Sequence, residues 1–271
     1  YNEAEKVVSD YNELAKKAQE INNQLKPEYK DAYYQLILYP VLAGANLNEL
    51  YLATAKNHLY ANQGRASANE YAEKVKELFK KDAELTDYYH TKMANGKWNH
   101  MMSQTHIGYT YWQQPNENSI PTTKIIENQN TPEMGIAVEG TANWWPNSTA
   151  EALLPTFTSY ENKGYYFDIF NRGTQSFKFK ISSKSNWIKF SKTQGTINKE
   201  ERITVQIDWE KAPKGDFKTS FIVSANKKNI PVFVQSKNVV LKKDDGFIES
   251  NGYISMEAEN YTKAIASEPY K

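Results

Sequence analysis

The residues best suited to chemistry or recognition are concentrated between positions 98 and 112. This stretch carries four aromatic side chains and two of the chain's four histidines: Trp98, His100, His106, Tyr109, Tyr111 and Trp112. Imidazoles exchange protons near neutral pH and bind metals, while flat aromatic rings stack on sugars or fill a core. Two histidines six positions apart in a loop do not have a metal-ligand spacing. The pattern therefore predicts an aromatic and hydrogen-bonding cluster and no metal site.

Acidic residues occur mainly beside lysines in the first hundred positions. One such run is Glu73, Lys74, Lys76, Glu77, Lys80 and Lys81. Alternating charges of this kind are typical of a solvated helix face. No two carboxylates stand out as a general acid and a general base. The sequence also has no phosphate-binding glycine loop and no serine nucleophile elbow, so we expect no cofactor.

A second aromatic feature is the adjacent pair Trp144 and Trp145. In a strand, neighbouring side chains point to opposite faces, so at most one of the two belongs to a core. The other either contacts a neighbouring domain or serves as a platform for a sugar ring. We favour the domain contact.

The composition limits the classes of partner. Lys plus Arg number 33 and Asp plus Glu 32, so the net charge of +1 gives no reason to expect nucleic acid or an anionic membrane. No stretch approaches the 18 apolar residues of a membrane-spanning helix. The absence of cysteine excludes disulfides, thiolate metal sites and a cysteine nucleophile.

Helical periodicity dominates the first 97 residues. A first helix carries one apolar stripe, formed by Val7, Tyr11, Leu14, Ala18, Ile21 and Leu25. A second helix begins at Pro27, is apolar on nearly every side, should kink at Pro40, and ends at Gly64. A third helix begins after Ser67 and ends near Gly96. Three such helices cover one another poorly, so residues 1–97 are predicted to be part of a larger bundle that begins before Tyr1.

The second half of the chain has the pattern of strands. Residues 98–134 lack a clear period and are expected to form an irregular connecting segment. Residues 135–236 alternate between apolar and polar side chains, with turn residues between the runs, which predicts an antiparallel β-sandwich. Residues 237–271 are expected to form a linker and the first strand of a truncated module.

The segment from Lys97 to Pro115, KWNHMMSQTHIGYTYWQQP, resembles the junction region of glycoside hydrolase family 115. Gly64–Asn69 (GRASAN), Tyr39–Val41 (YPV) and Gly140–Pro146, which contains the tryptophan pair, are similar to the same family. The resemblance spans most of the chain, and the junction segment is its most specific part. It implies a multi-domain α plus β fold, with a partial helical bundle followed by an immunoglobulin-like antiparallel β-sandwich.

Family 115 resemblance implies an inverting, exo-acting α-glucuronidase that uses no metal. Such an enzyme removes glucuronic acid, or its 4-O-methyl form, from xylan side chains outside the bacterial cytoplasm. Its acid and base carboxylates belong to a catalytic barrel N-terminal to the helices, and nothing in this chain corresponds to that barrel. We therefore expect no catalytic residue here, and a scaffold role instead. The expected partners are the barrel of the same protein, glucuronoxylan bound through the parent enzyme, and a second copy in a homodimer.

Two further resemblances concern the strand-rich half. Trp187–Val234 resembles small immunoglobulin-like modules of bacterial glycan-degrading proteins. Gly252–Tyr261 resembles the opening strand of the family's C-terminal sugar-module-like domain. Glutamates similar to Glu257 and Glu259 line a calcium site in related modules, but on an isolated strand we expect ordinary surface residues.

Two interpretations of the aromatic segment stay open. In the first, the segment lies against the barrel and helps to wall the uronic acid pocket. In the second, the segment packs the bundle against the sandwich, and the burial of its rings stabilises the fold by ~25 cal/mol per Å² of apolar surface removed from water. The packing interpretation is the one we favour. At the level of the protein, the alternatives are a non-enzymatic carbohydrate-binding surface protein and a structural interaction module. In each case, exposed apolar surface is expected to promote self-association.

Overall fold

The computed structural model describes residues 2–240, 246–261, 263–266 and 268. The chain divides into two compact units, Tyr1–Gln129 and Asn130–Lys271, which we call the helical unit and the strand unit. Long helices are confined to the first unit, and the described strands belong to the second. The predicted α plus β class is confirmed at this level.

Three long helices lie where the apolar period predicts them. They are α1 (Asn2–Gln24), α3 (Tyr39–Gln63) and α4 (Ala68–Thr91), and a short α2 (Pro27–Tyr33) precedes α3. A 3-10 turn, Met93–Gly96, follows α4. Contrary to the expectation from the sequence, the continuous helical run from Pro27 to Gln63 is long and apolar enough to cross a membrane by length and composition alone, a property that the core helix of a soluble protein shares.

A π-helical turn, Tyr34–Leu38, directly precedes the part of the helix where the sequence predicts a kink at Pro40. The backbone N–H of Tyr39 donates to the carbonyl of Tyr34, five residues earlier. Proline lacks a backbone N–H, and its ring collides with the carbonyl four residues before it in a regular α-helix. Widening the preceding turn accommodates the ring while the helix continues.

Gly64 ends α3 as the sequence predicts. Its φ of 67° places it in the left-handed region, which glycine adopts without steric cost. The Gly64 N–H donates to the Ala61 carbonyl, and the Arg65 N–H donates to the Tyr60 carbonyl. This is the Schellman arrangement of a helix C-terminus. The GRASAN motif thus begins with a chain reversal between α3 and α4.

The helical unit has two hydrophobic clusters. The first contains Ala18, Tyr34, Leu38, Tyr39, Tyr89 and Met93. The second contains Leu50, Ala53, Val75, Leu78 and Ile107. Ile107 comes from the irregular segment and not from a helix. That segment therefore contributes to the core of the helical unit.

Helix α1 leaves most of its predicted apolar stripe exposed. Between 37% and 49% of the surface is accessible for Val7, Tyr11, Leu14 and Ile21. The buried residues of α1 are Val8 and Ala18. A short ion pair of 2.6 Å between Glu5 and Lys56 helps to hold α1 against α3. An aliphatic row on α1 therefore faces outward.

Two sheets make up the strand unit. The first has the order β1-β4-β8-β6, with β1 (Met134–Val138), β4 (Tyr165–Asn171), β8 (Glu200–Ile207) and β6 (Ile188–Phe190). The second has the order β2-β10-β9-β5-β7, with β2 (Ala152–Leu153), β10 (Lys228–Asn238), β9 (Gly215–Ala225), β5 (Phe177–Ser183) and β7 (Gln194–Ile197), while β3 (Phe157–Thr158) also pairs with β10. A common hydrophobic core joins side chains of both sheets.

The expectation of purely antiparallel sheets is wrong for two short strands. Val232 and Phe233 of β10 pair in parallel with β2, and Ser236 and Lys237 pair in parallel with β3. A parallel pair requires a long connection between its strands. The chain supplies one, since the 69 residues 159–227 separate β3 from β10. Pro155, between the two short strands, cannot donate to a ladder, which favours the division into two pieces.

Strand alternation in the core follows the sequence pattern. Phe177, Phe179 and Ile181 of β5 are buried, while the lysines between them are exposed. One close approach depends on glycine: a Cβ at Gly135 of β1 would lie 2.4 Å from ring atoms of Phe170 on β4. The Phe170 ring therefore occupies the space that any larger residue at position 135 would need.

No strand forms at Gly252–Tyr261 in the described part of the chain, which differs from the prediction. The segment contains a 3-10 turn, Ala258–Asn260, and one bridge between Ser250 and Tyr253. A strand needs a hydrogen-bonding neighbour along its length, and the described sheets supply none here. Residues 241–245 of the predicted linker lie outside the described residues, as do 262, 267 and 269–271.

Candidate functional site

Residues 105–119 of the helical unit form a closed loop, which we call the aromatic loop. Its two ends meet at a neck, where the Asn118 side-chain oxygen accepts hydrogen bonds from the backbone N–H groups of His106 (2.8 Å) and Ile107 (3.0 Å). The Ser119 N–H donates to the Ile107 carbonyl at 3.2 Å. The Thr105 hydroxyl donates to the Pro115 carbonyl at 2.6 Å. Pinned ends of this kind are typical of an Ω-loop.

Ile107 fixes the neck to the helices. It is fully buried and packs in the cluster with Leu50, Val75 and Leu78. Burying an isoleucine side chain stabilises the folded state by about 2 kcal/mol. The neck is therefore anchored by an apolar side chain as well as by hydrogen bonds.

His106 provides a second, charged anchor at the neck. Its Nε2 lies 3.0 and 2.9 Å from the two carboxylate oxygens of Asp82 on α4. Its Nδ1 lies 3.1 Å from the Gln104 carbonyl oxygen. A carboxylate and a carbonyl can only accept, so both bonds form when both ring nitrogens carry protons. The geometry therefore fits an imidazolium paired with a carboxylate.

The electrostatic surroundings of His106 favour this charged form. Burial lowers the pKa of His106, but the hydrogen bonds to Asp82 and to the Gln104 carbonyl, together with the Asp82 charge, raise it more. The net result is a pKa above the usual 6.5. Only 6% of the Asp82 side chain is accessible, so the loss of its cationic partner would leave a carboxylate unpaired in a poorly solvated place.

The tip of the aromatic loop is exposed. Trp112 is 89% accessible, Tyr111 60% and Tyr109 43%. The rings of Tyr111 and Trp112 meet edge to face with centroids 6.3 Å apart, and the Tyr111 hydroxyl donates to Gln113 at 2.9 Å. A fixed neck with projecting rings is a suitable geometry for contact with another molecule or domain.

Trp98 and His100 lie apart from the loop tip. Trp98 packs against the cluster that contains Tyr39 and Tyr89. His100 is exposed, has a φ of 65°, and lies near His90 with a ring separation of 6.2 Å. The six predicted residues of the segment thus divide into a core residue, a turn residue, the neck anchor His106 and the three tip rings.

An open groove of about 510 Å³ runs beside the neck. Its walls come from α3, from Asp82 of α4 and from the segment before the tip; they include Tyr39, Pro40, Leu47, Met101, Met102, His106 and Tyr109. Asp82 is the acidic side chain of this lining, and His106 already occupies it. The groove is therefore mainly apolar and contains no second carboxylate that would complete an inverting acid–base pair.

Sequence reasoning missed Asp82, which follows the charge run at 73–81. Val75, Leu78 and Asp82 are separated by three and four residues, so all three lie on one face of α4. The first two are buried in the core of the helical unit. An acidic residue on an otherwise apolar stripe requires a partner. That signal was available in the sequence, although it does not identify His106 as the partner.

Two asparagines hold the chain after the loop. The Asn57 side chain donates to the Lys124 carbonyl at 2.9 Å and accepts the Lys124 N–H at 2.7 Å. Asn69 makes the same pair of bonds with Ile126, at 2.9 and 3.0 Å. We call residues 122–126 the strap. These amides supply the backbone partners that a neighbouring strand would otherwise provide.

The tryptophan pair belongs to the strand unit. Trp145 is buried in its core, and its indole N–H donates to the Ala150 carbonyl at 2.6 Å. Trp144 is half-buried, with the Arg172 guanidinium 4.1 Å from its ring centroid and Phe170 edge-on at 6.3 Å. One ring is thus in the core and the other is stacked by an arginine of the same unit.

Metal-binding groups do not assemble in the described part of the chain, where no three His, Asp or Glu side chains come together. Glu257 and Glu259 are exposed, and Glu259 lies in the 3-10 turn.

No protein-family model matches this chain, and no curated protein matches it in sequence. Several solved structures show a distant likeness. A family GH115 4-O-methyl-α-glucuronidase with specificity for decorated arabinogalactans is 15% identical, with a TM-score of 0.33, over 77% of this chain and 32% of that one. A PapD-like domain of human CEP192 is 10% identical, with a TM-score of 0.29, over 51% of this chain and 99% of that one.

The YadV chaperone is a third such structure, 9% identical with a TM-score of 0.28 over 40% of this chain and 54% of that chaperone. The present chain therefore spans about a third of the glucuronidase and about half of the chaperone. Likenesses with such low identities and TM-scores do not assign the chain to a family, so the proposal below is argued from the chain's own residues and geometry.

Proposed function

We propose that this chain is an accessory, non-catalytic region of a glycoside hydrolase that removes glucuronic acid, or its 4-O-methyl form, from xylan side chains. The observation that carries the proposal is the aromatic loop, whose neck is fixed while Trp112 projects with 89% of its surface accessible. Residues 105–115 of this loop belong to the segment Lys97–Pro115, which resembles the junction region of family 115.

Rigid support distinguishes the loop tip from a merely unstructured surface segment. Ordering a side chain on binding costs conformational entropy, and a fixed neck reduces that cost in advance. Flat rings such as those of Tyr111 and Trp112 offer large contact area with few rotatable bonds. In place of the packing interpretation that the sequence alone favours, we propose that these exposed rings help to wall the uronic acid pocket of a catalytic barrel in the same protein.

The carboxylate in the groove lining is consistent with a structural role for this chain and a catalytic role for a separate barrel. Asp82 is committed to His106, and inverting hydrolysis needs two carboxyl groups roughly 6.5–9.5 Å apart. In this proposal the carboxylates belong to the barrel, and the present chain supplies scaffold and pocket wall. We further propose that the strand unit is an immunoglobulin-like sandwich. The enzyme would act outside the bacterial cytoplasm and form a homodimer through its helices.

The test is made in the enzyme that contains this chain, with Trp112→Ala and Tyr111→Ala. We expect kcat/KM on glucuronoxylan to fall about tenfold or more, equivalent to about 1.4 kcal/mol of transition-state binding. The melting temperature should stay within the range of the unmodified enzyme, because neither ring is buried. The matched control is Tyr29→Ala, which removes a ring that is 57% exposed on α2 and should leave both quantities unchanged.

Unchanged turnover with a lowered melting temperature would show that the rings only pack against another domain. A glucuronate-decorated arabinogalactan is assayed as a second substrate, because it carries the same sugar acid as glucuronoxylan on a different polysaccharide backbone. Binding measurements with the present chain test the alternative of a carbohydrate-binding surface protein. Micromolar affinity of this chain alone for xylan, lost in Trp112→Ala, favours capture over scaffold.

A further inference from the structure

We propose that the pair formed by His106 and Asp82 is a protonation-dependent latch that fastens the neck of the aromatic loop to α4. The inference concerns the order of the loop and does not depend on what its tip contacts. It rests on the position of one ring between two acceptors. Both are within 3.1 Å of a ring nitrogen.

The two acceptors make the latch sensitive to a single proton. A charged imidazole donates from both nitrogens, to Asp82 and to the Gln104 carbonyl at once. A neutral imidazole carries one N–H, so one acceptor then faces a nitrogen lone pair. Since Asp82 is nearly buried, neither arrangement of the neutral ring is well satisfied.

Among the side chains that line the groove, only Asp82 and His106 belong to types that carry a charge near neutral pH. In the groove lining, the other titratable side chains are phenols: Tyr39 on α3 and Tyr109 on the loop itself. Burial, and to a smaller extent the charges of Asp82 and Tyr89, raise the pKa of Tyr39, against a lowering by its hydrogen bond with Thr86. Within the groove lining, His106 is therefore the side chain whose charge changes across the range in which an imidazole titrates.

The direction of the pH effect follows from the raised pKa of His106. The stabilisation of the latched state is complete below the unfolded-state pKa of about 6.5 and is lost as pH rises through the higher folded-state pKa. The Ile107 side chain keeps its place in the core cluster, so the expected change is confined to the tip and to the hydrogen bonds of the neck, including that of the Ile107 amide to Asn118. The long helices should remain folded.

The experiment measures hydrogen exchange of the Ile107 amide in the full chain between pH 6 and pH 9, as a protection factor corrected for the intrinsic exchange rate. Protection should fall as pH rises, by about tenfold for each unit by which the folded pKa of His106 exceeds its unfolded value. Histidine resonances in the same titration assign the transition to His106. In His106→Gln, protection should be lower and independent of pH.

Asp82→Asn provides a second variant that keeps the shape of the side chain but removes its charge, and it should also abolish the pH dependence. The control is His100→Gln, an exposed histidine of the same segment, which should behave as the unmodified chain. Constant protection of Ile107 across the range in the unmodified chain would overturn the proposal. An unchanged pH profile in His106→Gln would do the same.

Discussion

Asn171, at the end of β4, uses every hydrogen-bonding group of its side chain. Its oxygen accepts the N–H groups of Glu133 (3.1 Å) and Gly173 (2.9 Å), and its amide donates to the carbonyls of Gln175 (2.7 Å) and Asn198 (3.1 Å). The residue is fully buried. A carbonyl oxygen and two N–H donors are thus all satisfied, as burial of an amide requires. One side chain joins three turns of the strand unit.

Gly135 allows a sharp prediction at the same scale. Gly135→Ala places a methyl group 2.4 Å from the Phe170 ring, and overpacking of this kind destabilises a core by about 1–3 kcal/mol. Chemical denaturation of the full chain measures the change. In Gly135→Ala/Phe170→Leu the loss should be smaller than the sum of the two single changes. Additive losses would show that the ring does not oppose the new methyl group.

Asp82 and His106 show what the sequence does and does not determine about the candidate site. The segment 98–112 is recognisable from its composition, and the exposed tip rings are among the residues singled out in it. The ion pair is not recognisable, because its members are twenty-four positions apart and nothing in the sequence shows that the loop returns to that turn of α4. Long-range pairing depends on tertiary packing, which local periodicity does not encode.

At the scale of elements, the strap is held by side chains and not by a ladder. Asn57 is fully buried and bonds both the N–H and the carbonyl of Lys124, as well as the carbonyl of Ala68. The helices thereby hold an extended segment that has no strand beside it. This segment carries the chain away from the aromatic loop.

Asn57→Ala should weaken this attachment. Loss of the amide removes the partner of the Lys124 N–H and carbonyl and of the buried Ala68 carbonyl, at a cost of about 1–3 kcal/mol. Denaturation midpoints measure the loss, and faster hydrogen exchange at residues 122–126 locates it. The control is Asn48→Ala, a half-buried asparagine on the same helix that donates to the Gly44 carbonyl and should cost less. Equal losses in both variants would contradict a specific role for Asn57 in the strap.

The elements follow the sequence closely where one physical rule acts alone. Apolar steps of three and four place the long helices, and Gly64 ends α3. They depart from it where two rules compete. At Pro40 the missing N–H favours a break, but burial of the flanking tyrosines favours continuation, and the π-helical turn satisfies both. Gly252–Tyr261 has the alternation of a strand but pairs with none of the described strands.

At the scale of the whole molecule, two of the exposed apolar surfaces among the described residues differ in kind. On α1 it is an aliphatic row that includes Leu14 and Ile21, each 49% accessible. On the aromatic loop it consists of rings held by a rigid neck. Aliphatic rows of this type are typical of surfaces that another protein covers, so we expect the chain to associate with itself in solution.

Sedimentation velocity over a concentration series tests this expectation. The unmodified chain should form dimers or larger species as its concentration rises, and Leu14→Lys/Ile21→Lys should stay monomeric because charged side chains cannot be buried without partners. Gln19→Lys/Asn23→Lys adds the same charge to exposed polar positions of α1 and should associate as the unmodified chain does. If the unmodified chain is a monomer at every concentration, the prediction of self-association is wrong.

The closed neck of the aromatic loop separates positions that the fold constrains from positions that can vary in evolution. Thr105, Ile107 and Asn118 bear the structural demands of the loop, whereas residues 109–114 contribute nothing to the core clusters. In the function proposed above, substitutions at those six positions would alter recognition at little cost to the stability of the fold. Related chains are therefore expected to differ in the residues of the tip while they retain the residues of the neck.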